Sequence, residues 1–295
     1  MKKLVVGVLF ANVLFGFDTF LDGFSLPSKQ IPVARTRYEI APYAGISYYT
    51  GSTKKERGSI SGLYFANIEV GYKTEIDVKY QNITLQNSSS INQEDFSLLI
   101  NFLDYYNYLY KFGLHYIASQ DNISDNGNIF IGGFLTNYDY YQYGSFLYYS
   151  TYRDSNKGPS FVQLSPQIGI SFGNCCRGIS KFYAQFKIDY IKSLTNVKVN
   201  NLDSSYLSSE ILLTAYNADL TTTMTFWFGK RSFAVSDFGL VVDNLQQNEK
   251  GGVKIAQSYQ INRFSLISGA YIYTNFDENG KSSLHTLMFN YSYKF

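Results

Sequence analysis

The sequence predicts an all-β fold: a membrane-spanning, antiparallel up-and-down β-barrel of about fourteen strands, with about twelve as the alternative count. Three observations carry that expectation. Apolar and polar residues alternate with period two from about residue 36 to the end. Polar loops and shorter turns succeed one another along the same stretch. Aromatics make up 18% of the chain, as 28 Tyr and 24 Phe beside one Trp, while charged residues make up only 16%. A typical soluble domain carries roughly 25% charge. Mean hydropathy is −0.15, so the chain is not greasy throughout. Few charges, many rings and a neutral average suit a wall with one greasy face and one wet face.

The chain opens on an export signal. Lys2 and Lys3 form a positive start, and Leu4 to Phe17 form an apolar run of signal-peptide length. The run is too short to span a bilayer, which takes about 20 apolar residues. Residues 1–17 are therefore expected to be a signal peptide cleaved near Gly16. Residues 18–35 contain Pro27 and Pro32 and show no alternation. Residues 36–295 are the predicted barrel.

Successive side chains of a strand point to opposite faces, so period two marks one apolar and one polar side. Ile76, Val78 and Tyr80 alternate with Glu75, Asp77, Lys79 and Gln81. Val162, Leu164, Ile168 and Ile170 alternate with Gln163, Ser165, Gln167 and Ser171. Phe182 to Tyr190 and Leu287 to Phe295 repeat the pattern. Pro166 falls inside a strand and predicts a bulge or a missing ladder bond. Gly132-Gly133, Gly169 and Gly269 are expected to relieve curvature or packing. Longer polar loops are expected at 51–58, 87–94, 120–127, 154–159, 193–204, 244–251 and 276–282. Shorter turns are expected near 71–73, 105–108, 139–142, 173–179, 216–219 and 261–263. Leu220, Met224, Phe226, Phe228, Phe238, Leu240 and Val242 share one phase, so 220–243 reads as a single long strand.

In hydrocarbon every backbone N–H and C=O needs a partner inside the protein, which leaves helices and closed barrels. No apolar run after residue 17 is long enough for a spanning helix. Closure also removes exposed sheet edges.

The last segment, Asn290-Tyr291-Ser292-Tyr293-Lys294-Phe295, resembles the C-terminal signature of Gram-negative outer-membrane proteins, with Tyr291, Tyr293 and the final Phe295 as the assembly signal. That resemblance implies an outer-membrane location and recognition by the barrel assembly machinery. Periplasmic chaperones and outer-membrane lipids would be the other partners. The length and loop pattern of 36–295 are similar to small monomeric porins. On that reading 18–35 is either a periplasmic segment or a plug tucked into the lumen.

Chemistry-bearing motifs are few. Cys175 and Cys176 are adjacent. Neighbouring Cα atoms lie about 3.8 Å apart, below the usual disulfide range of about 4.4–6.8 Å, so a vicinal bridge would be strained and readily reduced. With two Cys and two distant His, no metal motif and no cofactor motif emerges. Net charge is +2. The densest basic cluster, Lys54-Lys55-Glu56-Arg57, lies in a predicted loop, and nothing tracks nucleic acid. His115 and His285 are the two imidazoles available for catalysis. Ser283 lies two residues from His285 on the same face, but no known barrel-lipase motif is present, so the chain is not read as an enzyme.

The inward face is expected to carry Asn67, Glu69, Glu75, Asp77, Lys79, Lys111, His115, Gln163, Gln167, Tyr183, Lys187, Asp189, Glu210 and Lys254. At about fourteen strands side chains fill a barrel less easily than at eight. The leading expectation is a narrow, weakly selective aqueous pore for passive diffusion of small hydrophilic solutes, formed by a monomer. The alternatives are a barrel that binds or transports an apolar compound, a lipid-modifying enzyme, and a structural or adhesin barrel.

Overall fold

The computed structural model describes residues 37–53, 55–86, 89–103, 108–121, 124–138, 140–152, 158–173, 181–195, 203–242, 248–277 and 281–295. The predicted signal peptide, the 18–35 segment and the Cys175-Cys176 pair lie outside the described residues.

Fourteen strands make the wall. They are β1 (Arg37–Gly51), β2 (Lys55–Glu69), β3 (Tyr72–Leu85), β4 (Ser90–Leu103), β5 (Tyr108–Ser119), β6 (Gly127–Tyr138) and β7 (Tyr141–Thr151). There follow β8 (Ser160–Phe172), β9 (Lys181–Ser193), β10 (Ser205–Asn217), β11 (Leu220–Arg231), β14 (Asn248–Asn262), β15 (Ser265–Asp277) and β16 (Lys281–Lys294). Two further strands, β12 (Val235–Ser236) and β13 (Val241–Val242), pair only with each other. Each wall strand is antiparallel to its neighbours, and β1 pairs with β16 to close the barrel. Among the described residues no helix is long and apolar enough to cross a membrane.

The period-two reading holds strand by strand. On β1 the odd residues Glu39 to Tyr49 are buried, while Ile46 and Tyr48 are exposed. On β16 the phase is opposite: Ser282 to Ser292 at even positions are buried, and Leu287, Phe289, Tyr291 and Tyr293 are exposed. Outward rings gather at two levels. Tyr38, Phe65, Tyr293 and Phe295 meet near the short-turn rim. Tyr48, Phe130 and Tyr149 stand toward the other rim. Tyr38 and Tyr48 are ten residues apart on one strand. That is ~33 Å along the strand, or about 25 Å along an axis tilted by ~40°, the height expected of an apolar band between two aromatic girdles.

The strands run further than the sequence suggested. β1 runs to Gly51 and β2 starts at Lys55, while β15 runs to Asp277 and β16 starts at Lys281. Residues expected in loops, such as Lys55 and Arg57, remain paired with Leu85 and Thr84 across a bulge. The expected short turn at 173–179 lies, beyond Gly173, outside the described residues. Pro166 behaves as its missing N–H requires. The β8–β9 ladder lacks the pairs between Leu164↔Tyr190 and Gln167↔Lys187, while the register is unchanged on both sides.

Inward glycines make room for rings. A Cβ on Gly133 would come within 2.2 Å of the Phe146 ring, and one on Gly169 within 2.3 Å of the Tyr183 hydroxyl. Gly133→Leu is therefore expected to cost ~1–3 kcal/mol through overpacking. A lowered urea midpoint in refolded protein, read from the single tryptophan Trp227, would check it.

Residues 220–243 are not one strand. Such a strand would be ~79 Å long, far beyond any neighbour. β11 stops at Arg231, after Gly229 takes φ +102°. Phe233, Asp237 and Phe238 then adopt positive φ, as does Gly239 at +101°. These turns fold 232–242 inward. The shared phase of Phe238, Leu240 and Val242 with β11 reflects an apolar loop that packs inside the barrel, where both short strands find cover.

Candidate functional site in the barrel lumen

The lumen is built from the inward phase of the wall and from this folded-in loop. Phe233, Ala234, Val235, Leu240, Val241 and Val242 are all buried. Phe233 stacks on Phe161 of β8 at 4.6 Å and meets Tyr152 at 5.0 Å. Phe238 meets Phe146 of β7 at 4.9 Å, and the Lys111 ammonium sits 5.2 Å from its ring centre. The loop thus leaves the wall at β11 and reaches strands β8 to β5, three to six positions away around the ring.

Polar contacts fix the loop backbone. The Val235 N–H donates to Gln163 Oε1 at 2.7 Å, and Gln163 Nε2 donates to the Val235 carbonyl at 2.7 Å. His115 Nδ1 lies 3.1 Å from the Gly239 carbonyl. Lys254 Nζ lies 3.6 Å from Asp237 Oδ2. Gly239 itself sits against Ile131, which a Cβ would meet at 2.3 Å.

Two charged networks line the wall. The first spans β1 to β5. The Tyr43 hydroxyl donates to Asp77 at 3.0 Å. Lys79 pairs with Asp95, and Asp95 lies 3.6 Å from His115 Nε2. Glu75 accepts from Asn101 at 2.7 Å and Tyr64 at 3.2 Å, with Lys73 and Lys111 each at 3.6 Å. The second spans β8 to β10. Lys187 lies 3.1 Å from Glu210 and 3.6 Å from Asp189. Asp189 accepts from Ser165 at 2.6 Å and Gln163 at 3.2 Å. Nearby, Tyr183 donates to Gln142 at 2.6 Å, and Gln185 donates to Gln167 at 3.3 Å. In a low-dielectric interior each of these charges needs such partners.

Twelve of the fourteen expected inward residues are on the inward phase. Asn67 and Glu69 are not. They pair with the outward Tyr38 and Tyr72, so they face outside near the short-turn rim. Counting phase from Ile60, Tyr64 and Ala66, which are buried, corrects the assignment. A polar residue on the outer side is tolerated there because the strand has left the apolar band. The sequence reading also missed Lys73, Asp95, Ser97 and Asn101. Gln93, Asp95, Ser97 and Asn101 alternate with Phe96, Leu98 and Ile100 on β4, but the polar run 87–94 reads as a loop and hides the start of that strand.

Ser97 Oγ lies 2.7 Å from His115 Nδ1, which puts Asp95, His115 and Ser97 in line. The order does not suit a hydroxyl nucleophile. The Gly239 carbonyl can only accept, so the Nδ1 that bonds it carries the proton and cannot take one from Ser97. His285 lies on the outer face, with Nδ1 2.8 Å from the Tyr271 hydroxyl. Ser283 bonds the Tyr273 hydroxyl at 3.2 Å instead of His285. Among the described residues no group of His, Cys, Asp and Glu could hold a metal ion.

No protein-family model matches the sequence, and no curated protein matches it. Solved structures do resemble the fold. A bacterial polysaccharide outer-membrane secretin superposes with a TM-score of 0.54 at 10% identity, covering 87% of this chain and 98% of that one. The toluene transporter TodX of Pseudomonas putida superposes with a TM-score of 0.51 at 7% identity, covering 88% and 89%. At such identities the likeness concerns architecture. This chain has the closed antiparallel barrel fold of outer-membrane proteins.

Proposed function

We propose that the chain is an outer-membrane channel that passes small hydrophilic solutes by diffusion, with the 232–242 loop narrowing the passage. One observation carries this reading: a fourteen-strand wall whose inward phase is charged and polar at mid-height, with the 232–242 loop laid across it. The fold likeness to a barrel named as a transporter supports passage as the general role. Acids and bases are interleaved along the lumen, so strong ion selectivity is not expected. The C-terminal Tyr291, Tyr293 and Phe295, all outward and exposed, are assigned to recognition by the assembly machinery.

The test is electrical. Purified, refolded protein added to a planar bilayer should give discrete conductance steps with a reversal potential near zero for a KCl gradient. Silent bilayers containing demonstrably inserted protein would reject the channel reading. A second reading, passage of an apolar compound, is favoured by the rings that Phe233 and Phe238 bring against Tyr152, Phe161 and Phe146. Solvent extraction of folded protein would then recover an apolar ligand.

A further inference from the structure

The outer face carries a charge where the apolar band ends. Arg57 of β2 is exposed and lies on the outward phase, paired with Tyr48 on one side and Thr84 on the other. Tyr48 pairs in turn with His285 of β16. Arg57, Tyr48 and His285 therefore form one cross-strand row at the level of the ring girdle nearer the long-loop rim. Among the described residues Arg57 has no ion-pair partner.

The rows below change character. Ile46 stands between Ser59 and Leu287, and Ala44 between Ser61 and Phe289. The small side chains of Ser59, Ser61 and Ala44 continue this face below Arg57 into the apolar band. At the level of Arg57 a cavity of about 620 Å³ is lined by Ile46, Tyr48, Arg57, Ser59, Tyr271 and His285, among others. Lys281, exposed and on the same phase of β16, stands four residues above His285.

We propose that this row and its cavity bind a membrane lipid with a phosphate-bearing headgroup. The phosphate meets Arg57 and His285, and an acyl chain lies over Ser59, Ser61 and Ala44. The inference rests on the outer-membrane reading above. The guanidinium fork matches phosphate oxygens, and a cation on the lipid side is tolerated at the interface but not deeper. The vertical order of cation, hydroxyl and small apolar side chain is the order of a lipid's headgroup, linkage and chain. A protein partner would not require that order.

The full chain would be refolded into phosphatidylcholine vesicles doped with lipid A or with its dephosphorylated form. Retained lipid is counted by native mass spectrometry. The phosphorylated lipid is expected to be retained at least about tenfold better, and millimolar inorganic phosphate is expected not to displace it. The double variant R57Q/H285Q should lose that preference. Ser59→Leu, which fills the cavity and leaves the charges, should weaken retention of either form. Equal retention of both lipids, an unchanged R57Q/H285Q variant, or displacement by inorganic phosphate would overturn the lipid site. So would a dimer that the double variant abolishes, since the face would then be a protein contact. Insertion is scored separately by heat-shifted electrophoretic mobility. Inserted protein without lipid preference rejects this site alone, whereas failure to insert rejects the membrane reading beneath it.

Discussion

Replacing residues 232–247 by a short Gly-Ser turn is expected to raise single-channel conductance several-fold. The loop brings Phe233, Val235, Phe238 and Leu240 into the lumen, and these side chains occupy volume that ions would otherwise cross. Its removal should leave the wall intact, because β11 pairs directly with β14 through residues outside the loop. A milder change should move in the same direction. Gln163→Leu removes both hydrogen bonds on Val235, each worth ~1 kcal/mol net. The loop would then leave its seat more often, and openings of larger amplitude should appear in the same recordings. Identical step sizes in the parent and the shortened protein would show that the loop does not limit the passage.

Lys79→Met is expected to destabilise the barrel by about 3 kcal/mol. The Lys79 side chain is 3% exposed and that of its partner Asp95 is 1% exposed. Removing one member of a buried pair strands the other charge, which costs ~3–5 kcal/mol. Here the lower end applies, because Gln93 Nε2 still donates to Asp95 at 2.8 Å. The double variant K79M/D95L should recover more than half of the loss, since an apolar pair of similar volume carries no desolvation cost. Urea unfolding in vesicles, followed by Trp227 emission, reads both. If Lys79→Met left the midpoint where it was, water would have to reach Asp95 freely, and the packed polar network would lose its energetic meaning.

Much of this architecture is legible without coordinates because a barrel wall has only two faces. Glu75, Asp77 and Lys79 could be assigned inward because each is flanked by Ile76, Val78 or Tyr80, which lipid would select. The same logic fails where the polar residues no longer mark the wet side. Asn67 and Glu69 sit beyond the apolar band, where either face meets water and polarity carries no phase information. It fails again at 232–242. Those residues are apolar because they are buried in the lumen, and period two cannot tell a lumen-filling loop from a strand facing lipid. Length could have done so, as could the Asp237-Phe238-Gly239 turn that interrupts the ladder. Pairings such as Lys254 with Asp237, or Tyr43 with Asp77, depend on which loop enters and which strands adjoin. They belong to tertiary geometry and leave no trace in local pattern.

The seam between β1 and β16 has a kinetic corollary. Most other ladders in the wall join consecutive hairpins, which zip with little loss of chain entropy. The seam instead joins partners such as Ile46 and Leu287, whose meeting must wait until all the intervening hairpins are in place. Such a far-separated contact is the slow one in any topology. Until it forms, both flanking strands present unsatisfied amide edges to whatever surrounds them. The nascent sheet is therefore most vulnerable to intermolecular pairing just before completion, and any factor that speeds its biogenesis would act with greatest effect by escorting these two edges toward each other.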